Sequence, residues 1–364
     1  MFRLETVPYN PHWWKTTLHQ FGDRSVYQSP EWLAFLAETQ RGQIVTAALC
    51  DGNSTIGYFS GLIVRKFGLR LLGSPLPGWS TSYMGFNMAD GVPRFQAVEA
   101  LRSFAFRELG CAHLEVMDRD LDDHSGQGHN FGCSHYQGFE IDLRQEESDL
   151  FSRLKSECRT CIRKATRCGV TIEEAQEEGF AAEYYTQMQD VFGKQGLAPT
   201  YGVERVAALI RHLLPTGNLL LLRARDSEGR SIATAVCVAM HRRGILWGTA
   251  SRRQFQSLRP NEMLFWHAML RCKARGIHFL DLCGGGEYKR KYGGYRISVP
   301  WLHCSRYPFL PAFRSAVALT LRMRQRLGWK SQTLVSAEHP VSDDIEHPAA
   351  ARPAEVVEKQ SSLK

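Results

Sequence analysis

The sequence predicts an α/β protein of the α+β kind: two copies of one unit in tandem, each a mixed, mainly antiparallel sheet flanked by helices. Three observations predict it. First, the two halves echo each other. One helix ends at Arg107-Glu108-Leu109-Gly110 and runs into His113-Leu114-Glu115-Val116; another ends at Lys273-Ala274-Arg275-Gly276 and runs into Phe279-Leu280-Asp281-Leu282. Gly110 and Gly276, Leu114 and Leu280, and Glu115 and Asp281 are all separated by the same 166 positions (276 − 110). Second, each half shows a hairpin, a third strand, a helix and a further strand in that order, so a duplicated unit explains the match better than chance does. Third, antiparallel hairpins before a single strand–helix–strand step argue against a doubly wound nucleotide fold.

In order along the chain, Ser29-Pro30-Glu31-Trp32 opens a helix, with proline at the first helical position and Trp32, Leu33, Phe35 and Leu36 facing inward. Residues 44–49 and 56–64 form a hairpin across the turn Asp51-Gly52-Asn53, and 69–72 is the third strand. Residues 74–86, rich in aromatics and hydroxyls, either line a pocket through Trp79 and Tyr83 or connect strands. Residues 92–109 read as a helix and 112–117 as a strand. The polar stretch 118–138 carries His124, His129, Cys133 and His135, but no strong zinc spacing, so no metal is expected. Residues 139–143 are the next strand.

The second half opens with a helix over 150–168. Its Arg159, Arg163 and Arg167 share one face at i, i+4 and i+8. That face is either solvated or a contact for a phosphate or carboxylate. A strand at 170–174, helices at 180–192 and 203–214, and strands at 219–225, 232–240 and 245–250 follow. The stretch from Arg259 to Tyr295 then gives a helix that Asn261 caps, a strand at 278–282, Gly284-Gly285-Gly286, and the charged run Glu287-Tyr288-Lys289-Arg290-Lys291. Three glycines let backbone approach a ligand closely, and the charges beside them point either to binding or to a flexible, solvated basic hairpin. The expected divisions are 1–145 and 146–307 for the two units, 308–330 for a basic C-terminal helix, and 331–364 for a disordered tail. The helix, over 313–327, either packs on the body or rests on an anionic membrane.

The chain has 364 residues, 43% hydrophobic and 23% charged, which is globular usage. A net charge of +8 favours anionic partners such as a phosphate-bearing cofactor, an RNA or an acidic lipid surface. There is no apolar leader and no membrane-spanning run, and the ten cysteines read as reduced thiols, so a cytoplasmic location is expected.

Pro260-Asn261, Leu264, Trp266, Gly276, Leu280-Asp281, Gly284 and Tyr288-Lys289, with the basic segment 155–170, resemble the second unit of the Fem-type aminoacyltransferases and the related CelD-BcsL-like acetyltransferases, which are tandem members of the GNAT superfamily. The Trp32 helix and residues 72–86 resemble the first unit. The resemblance covers roughly residues 25–307. It implies acyl transfer onto an amine, with Lys289 important for transfer and Tyr288 shaping the pocket. Asp281 orients Lys289, serves as base or is structural. Arg259, Asn261 and Gly284 to Gly286 are the expected donor contacts, at a helix N-terminus suited to phosphate. Arg159, Arg163, Trp79 and Tyr83 are candidates for the acceptor, and Cys283 for a covalent acyl carrier.

The sequence departs from the family where a glycine-containing loop usually precedes the donor-binding helix; here the residues are Arg259-Pro260-Asn261-Glu262-Met263. It also lacks the inserted coiled-coil arm. Three functions stay open. The first is an N-acyltransferase using acetyl-CoA or another acyl-CoA on an amine of a cell-envelope or exopolysaccharide precursor, either small or lipid-linked. The second is an aminoacyl-tRNA-dependent ligase on a peptidoglycan-like precursor. The third is a non-catalytic membrane-surface scaffold.

Overall fold

Leu219-Leu220-Leu221-Leu222 is apolar at every position, and such a strand needs cover on both faces. The computed structural model provides it: alternate residues of this run enter two different hydrophobic clusters. The structure describes residues 2–122, 130–177, 179–194 and 196–307. The expected helix over 313–327, the tail, and the histidines His124 and His129 lie outside the described residues.

The first half holds β1 (Phe2–Thr6), α1 (Pro11–Leu18), α2 (Pro30–Gln40), β2 (Gln43–Asp51), β3 (Ser54–Lys66), β4 (Leu69–Ser74), β5 (Phe86–Met88), α3 (Arg94–Ser103), β6 (His113–Met117) and β7 (Gly132–Asp142). The second holds α4 (Glu147–Arg153), α5 (Ser156–Arg167), β8 (Thr171–Ala175), α6 (Phe180–Gly193), α7 (Val203–Leu213), β9 (Leu219–Arg225), β10 (Ser231–Met240), β11 (Arg243–Ser251), α8 (Pro260–Ala274), β12 (Phe279–Asp281) and β13 (Tyr295–Ser305). All the strands join one sheet in the order β1-β2-β3-β4-β6-β13-β7-β12-β11-β10-β9-β8, with β5 paired to β3.

The duplication is visible in the pairing. β4 runs parallel to β6 in one unit, and β11 runs parallel to β12 in the other. The helix before each of β6 and β12 gives way to a glycine with positive φ, Gly110 at 63° and Gly276 at 75°. The last strands, eleven residues each, are exchanged between the units. β13 pairs with β6 of the first unit, β7 pairs with β12 of the second, and β7 and β13 pair with each other at the centre. One face of the sheet carries α1, α2, α6 and α7 over a core that spans both units, with α2 packed on α7. The other face carries α3 over the first unit and α4, α5 and α8 over the second.

Four local expectations are corrected. The helix over 150–168 is two helices, broken at Leu154-Lys155, where Lys155 N–H donates to Lys291 O at 2.9 Å. The helix over 92–109 begins at Arg94 and ends in a wider π turn, Phe104–Glu108. The strand placed at 139–143 begins at Gly132, because its polar first half gains a partner in β13, a strand the local pattern does not show. Asn261 is not a cap: α8 starts at Pro260, whose fixed φ and missing N–H suit the first position, and Arg259 is the cap residue.

Candidate functional site

β11 and β12 stay in register only from Arg243–Phe279 to Ile245–Asp281. β11 then runs on to Ser251 while the chain leaves β12, and a fork opens between them. The glycine loop and a 3-10 turn, Glu287–Tyr292, follow β12 and pack against β7 and α5, where a Cβ on Gly285 would lie 3.1 Å from Gln137. The charged run after the glycines is therefore ordered. Lys291 Nζ donates to Glu262 in the first turn of α8 at 2.6 Å, and the Tyr292 ring stacks on Phe265 at 4.0 Å.

Asp281, at the end of β12, is wholly buried. Its Oδ1 accepts the Cys283 N–H at 2.7 Å, and the Tyr136 hydroxyl stands 3.5 Å from both carboxylate oxygens. The same hydroxyl accepts the Gly284 N–H at 2.9 Å. Burial pushes the Asp281 carboxyl up to about 6, against the opposing pull of the Cys283 amide. Lys289 is 9% exposed and donates to Gly284 O at 3.4 Å. Burial lowers its pKa, while the neighbouring Cys283 and Asp281 act the other way. Tyr288 lies outside it, 56% exposed, with its ring 5.7 Å from Lys289 Nζ. Among the described residues, neither the Gly285 nor the Gly286 N–H donates to another group. Gly284 has φ 75°, and a Cβ on Gly286 would sit 2.7 Å from the Tyr288 ring.

Cys283 takes a left-handed φ of 55°, and its Sγ is 3.8 Å from Ser82 Oγ. Burial pushes its thiol up to about 12, so it is not a thiolate at neutral pH and is a poor acyl carrier. Tyr83 is buried against Tyr27 at 5.7 Å, and among the described residues its hydroxyl has no hydrogen-bond partner. Its pKa is held well up by burial and then by the Asp281 charge. The structure thus brings Asp281, Lys289, Tyr288, the glycines and Tyr83 to one place.

Trp79 is buried near Gly73 on β4, and its carbonyl accepts from Arg205 on α7. Arg259 is exposed at the start of α8, and Asn261 is the second residue of that helix. Arg159 and Arg163 do not join them. Arg159 donates to the carbonyls of Ser152 and Leu154 and so closes the end of α4, and Arg163 lies over the Phe151 ring at 5.6 Å.

Three contributions escape the sequence reading. Arg205 donates to Gly78 O at 3.0 Å, stands 5.3 Å from the Tyr201 ring centroid, and has its pKa lowered by burial with no carboxylate acting on it. Trp247 packs beside Tyr201 at 5.5 Å and donates to Ser80 O at 2.8 Å. A cation held this way, next to aromatic rings, suits an anionic group of a ligand. The linker from β11 to α8, Arg252 to Arg259, is the second: it holds Arg252, Arg253 and Arg259 and no acid. Tyr136 also belongs to the site through β7, a strand of the other unit. Among the described residues no group of three or more His, Cys, Asp or Glu side chains is placed to hold a metal.

The equivalent position in the first unit is closed. Arg94, the first residue of α3, donates to both Asp118 oxygens at 2.8 and 2.9 Å, and Asp118 also accepts the Phe86 N–H. Glu115, the counterpart of Asp281, shares a 3.0 Å hydrogen bond with His113 Nε2.

Residues 152–292 match the family model described as acetyltransferase (GNAT) domain. Among solved structures, FemX is 12% identical with a TM-score of 0.67, over 82% of this chain and 96% of that one. L-PGS from Bacillus licheniformis is 12% identical with a TM-score of 0.55, over 87% and 98%. A tandem GNAT protein from the clavulanic acid biosynthesis pathway is 10% identical with a TM-score of 0.50, over 85% and 99%. No curated protein matches the sequence. The segment 152–292 is accordingly an acetyltransferase (GNAT) domain, set in a chain whose whole fold is that of the tandem GNAT-like structures.

Proposed function

We propose that the protein transfers an acyl group from an activated carrier to an amine in the fork between β11 and β12. One observation carries the reading. The buried Asp281 carboxyl, raised to about 6, is linked through Tyr136 to the amide of a glycine loop that also holds the Lys289 ammonium. At neutral pH Asp281 is ionised and takes the proton that the amine loses as it attacks the acyl carbon. Charge then builds on the acyl oxygen, where the Gly285 and Gly286 amides and Lys289 stabilise it. The bond to the carrier breaks, and the carrier leaves as its thiol or hydroxyl after taking up a proton.

The carrier's phosphates fit the arginine-rich entry to α8, and acyl-CoA is the donor we favour. Aminoacyl-tRNA satisfies the same chemistry, and the FemX-like fold is equally compatible with it. The acceptor is an amine of a cell-envelope or exopolysaccharide precursor, reached from the cytoplasmic side, with Arg205 and the Tyr201 and Trp247 rings taking an acidic part of it. The lysine and aspartate buried beside the glycine loop favour a catalytic reading over a scaffold.

The test is calorimetric titration of the purified protein with acetyl-CoA and, separately, with charged tRNA, followed by transfer to a panel of amino sugars and amino-terminal peptides. Saturable donor binding and transfer that falls roughly 100-fold or more in Lys289→Ala is the expected result. Lys289→Ala with full turnover, or no binding of either donor, contradicts the proposal.

A further inference from the structure

β12 and β7 are antiparallel neighbours, and their register sets Asp281 directly opposite Glu140. Side chains so placed share one face of the sheet, with Cβ atoms about 5 Å apart. Both carboxylates are buried, Glu140 to 2% exposure. Two like charges this close, away from water, compete. The better-paired one keeps its charge and makes the other hold a proton more tightly.

Glu140 is the better paired. Arg119, two residues past the end of β6, donates to its Oε1 at 3.3 Å, and Arg243, the first residue of β11, donates to its Oε2 at 3.0 Å. The Tyr295 hydroxyl on β13 also donates to Oε1. Asp281 has the Cys283 amide and the longer Tyr136 contact, and among the described residues no arginine donates to it. Tyr136 lies four residues before Glu140 on the same face of β7. Gly138 between them leaves room for its ring, since a Cβ there would stand 3.0 Å from it. One strand of the first unit thus presents both a hydroxyl and a charge to Asp281.

The other charges facing Asp281 are Arg119 and Lys289. Arg243 is shared with Asp120, at 3.8 Å. Tyr136, Tyr27, Tyr83 and Cys283 also face it, and burial keeps all four neutral at neutral pH.

We infer that Glu140 is a positioning residue for Asp281: a negative charge, fixed by one arginine from each unit, that makes Asp281 the stronger proton acceptor of the site. The inference takes from the proposed function only that Asp281 is the base. Its direction agrees with the raised Asp281 carboxyl, to which burial contributes most and the Glu140 charge adds, against the Cys283 amide.

The experiment is infrared titration of the full chain, with the difference from Asp281→Asn isolating the Asp281 carboxyl, beside the pH dependence of kcat and KM with acetyl-CoA and glucosamine as the probe amine. Glu140→Gln is expected to lower the Asp281 titration by about one pH unit or more, since it removes the opposing charge and frees two guanidinium groups. Glu140→Asp, which retains the charge, is expected to stay near the parent. Arg119→Gln is expected to raise the titration. The acid limb of kcat in Glu140→Gln is expected to move down with the carboxyl while KM stays within about twofold, because Glu140 touches no ligand. An Asp281 titration that Glu140→Gln leaves unmoved or raises overturns the inference. Should that variant not fold, an unmoved titration in Arg119→Gln overturns it, because the charges of this pair then do not reach Asp281. Titrations that move as expected in a parent that transfers nothing support the carboxylate pair and contradict only the acyl-transfer reading.

Discussion

Burial raises the Asp281 carboxyl from its ordinary value near 3.8 to about 6, so the folded chain favours the neutral acid between those two values. The sign follows directly. Stability is fully present below about pH 4 and is lost as pH rises through 6, by about 3 kcal/mol for a shift of this size. Asp281→Asn keeps an oxygen for the Cys283 amide and removes the charge. It is expected to be more stable than the parent in denaturant unfolding at pH 8, with the gap closing toward pH 4, and to lose transfer at every pH. Equal stability at both pH values would contradict a buried ionisable acid at this position. Lys289 and Asp281 were legible in the sequence as candidates because a strand-end acid, three glycines and a basic run lie within eleven residues, 281 to 291. Arg205 was not, since an arginine inside Val203-Glu204-Arg205-Val206 looks like any solvated helix charge. Its setting comes from the Gly78 and Trp79 carbonyls of the other unit, which no local pattern contains.

The 3-10 turn Glu287–Tyr292 positions Lys289 inward, and its C-terminal end is fixed. Lys291 is tied to Glu262 and to the Lys155 amide, and Gly293 closes the turn at φ 79°. A Cβ on Gly293 would lie 3.1 Å from Arg153 O, on the last residue of α4. Gly293→Ala is therefore expected to cost about 1 to 3 kcal/mol in denaturant unfolding, from left-handed strain and crowding together. A silent Gly293→Ala would mean that the turn does not depend on α4. The hairpins and most helices were legible at this scale, since Leu, Val and Ile alternate or recur at helical spacing within each. β13 was not. Pro300 demotes its run as a strand, yet the structure pairs Pro300 with His135 on one side only, because the β6 partners begin at Trp301. Missing β13 also hid the polar first half of β7, whose ladder it completes.

At the scale of the whole molecule, the repeat of 166 residues told of two similar units, and it could not tell that they exchange their last strands. That exchange is long-range pairing, and it has a functional consequence. Tyr136, on β7 of the first unit, reaches Asp281 and Gly284 of the second, so the site exists only when both units are folded together. Duplication also supplies an internal control. In the second unit a linker of arginines leads into α8, whereas at the start of α3 in the first unit Arg94 is tied to Asp118 and Asp23.

The most direct measurement is hydrogen exchange of the full chain with and without acetyl-CoA, and with and without charged tRNA. Slowed exchange confined to residues 252–262 and 284–289 in the presence of one donor is the expected result. Donor binding that protects the start of α3 instead, or that leaves 284–289 unchanged, would contradict a donor site in the second fork.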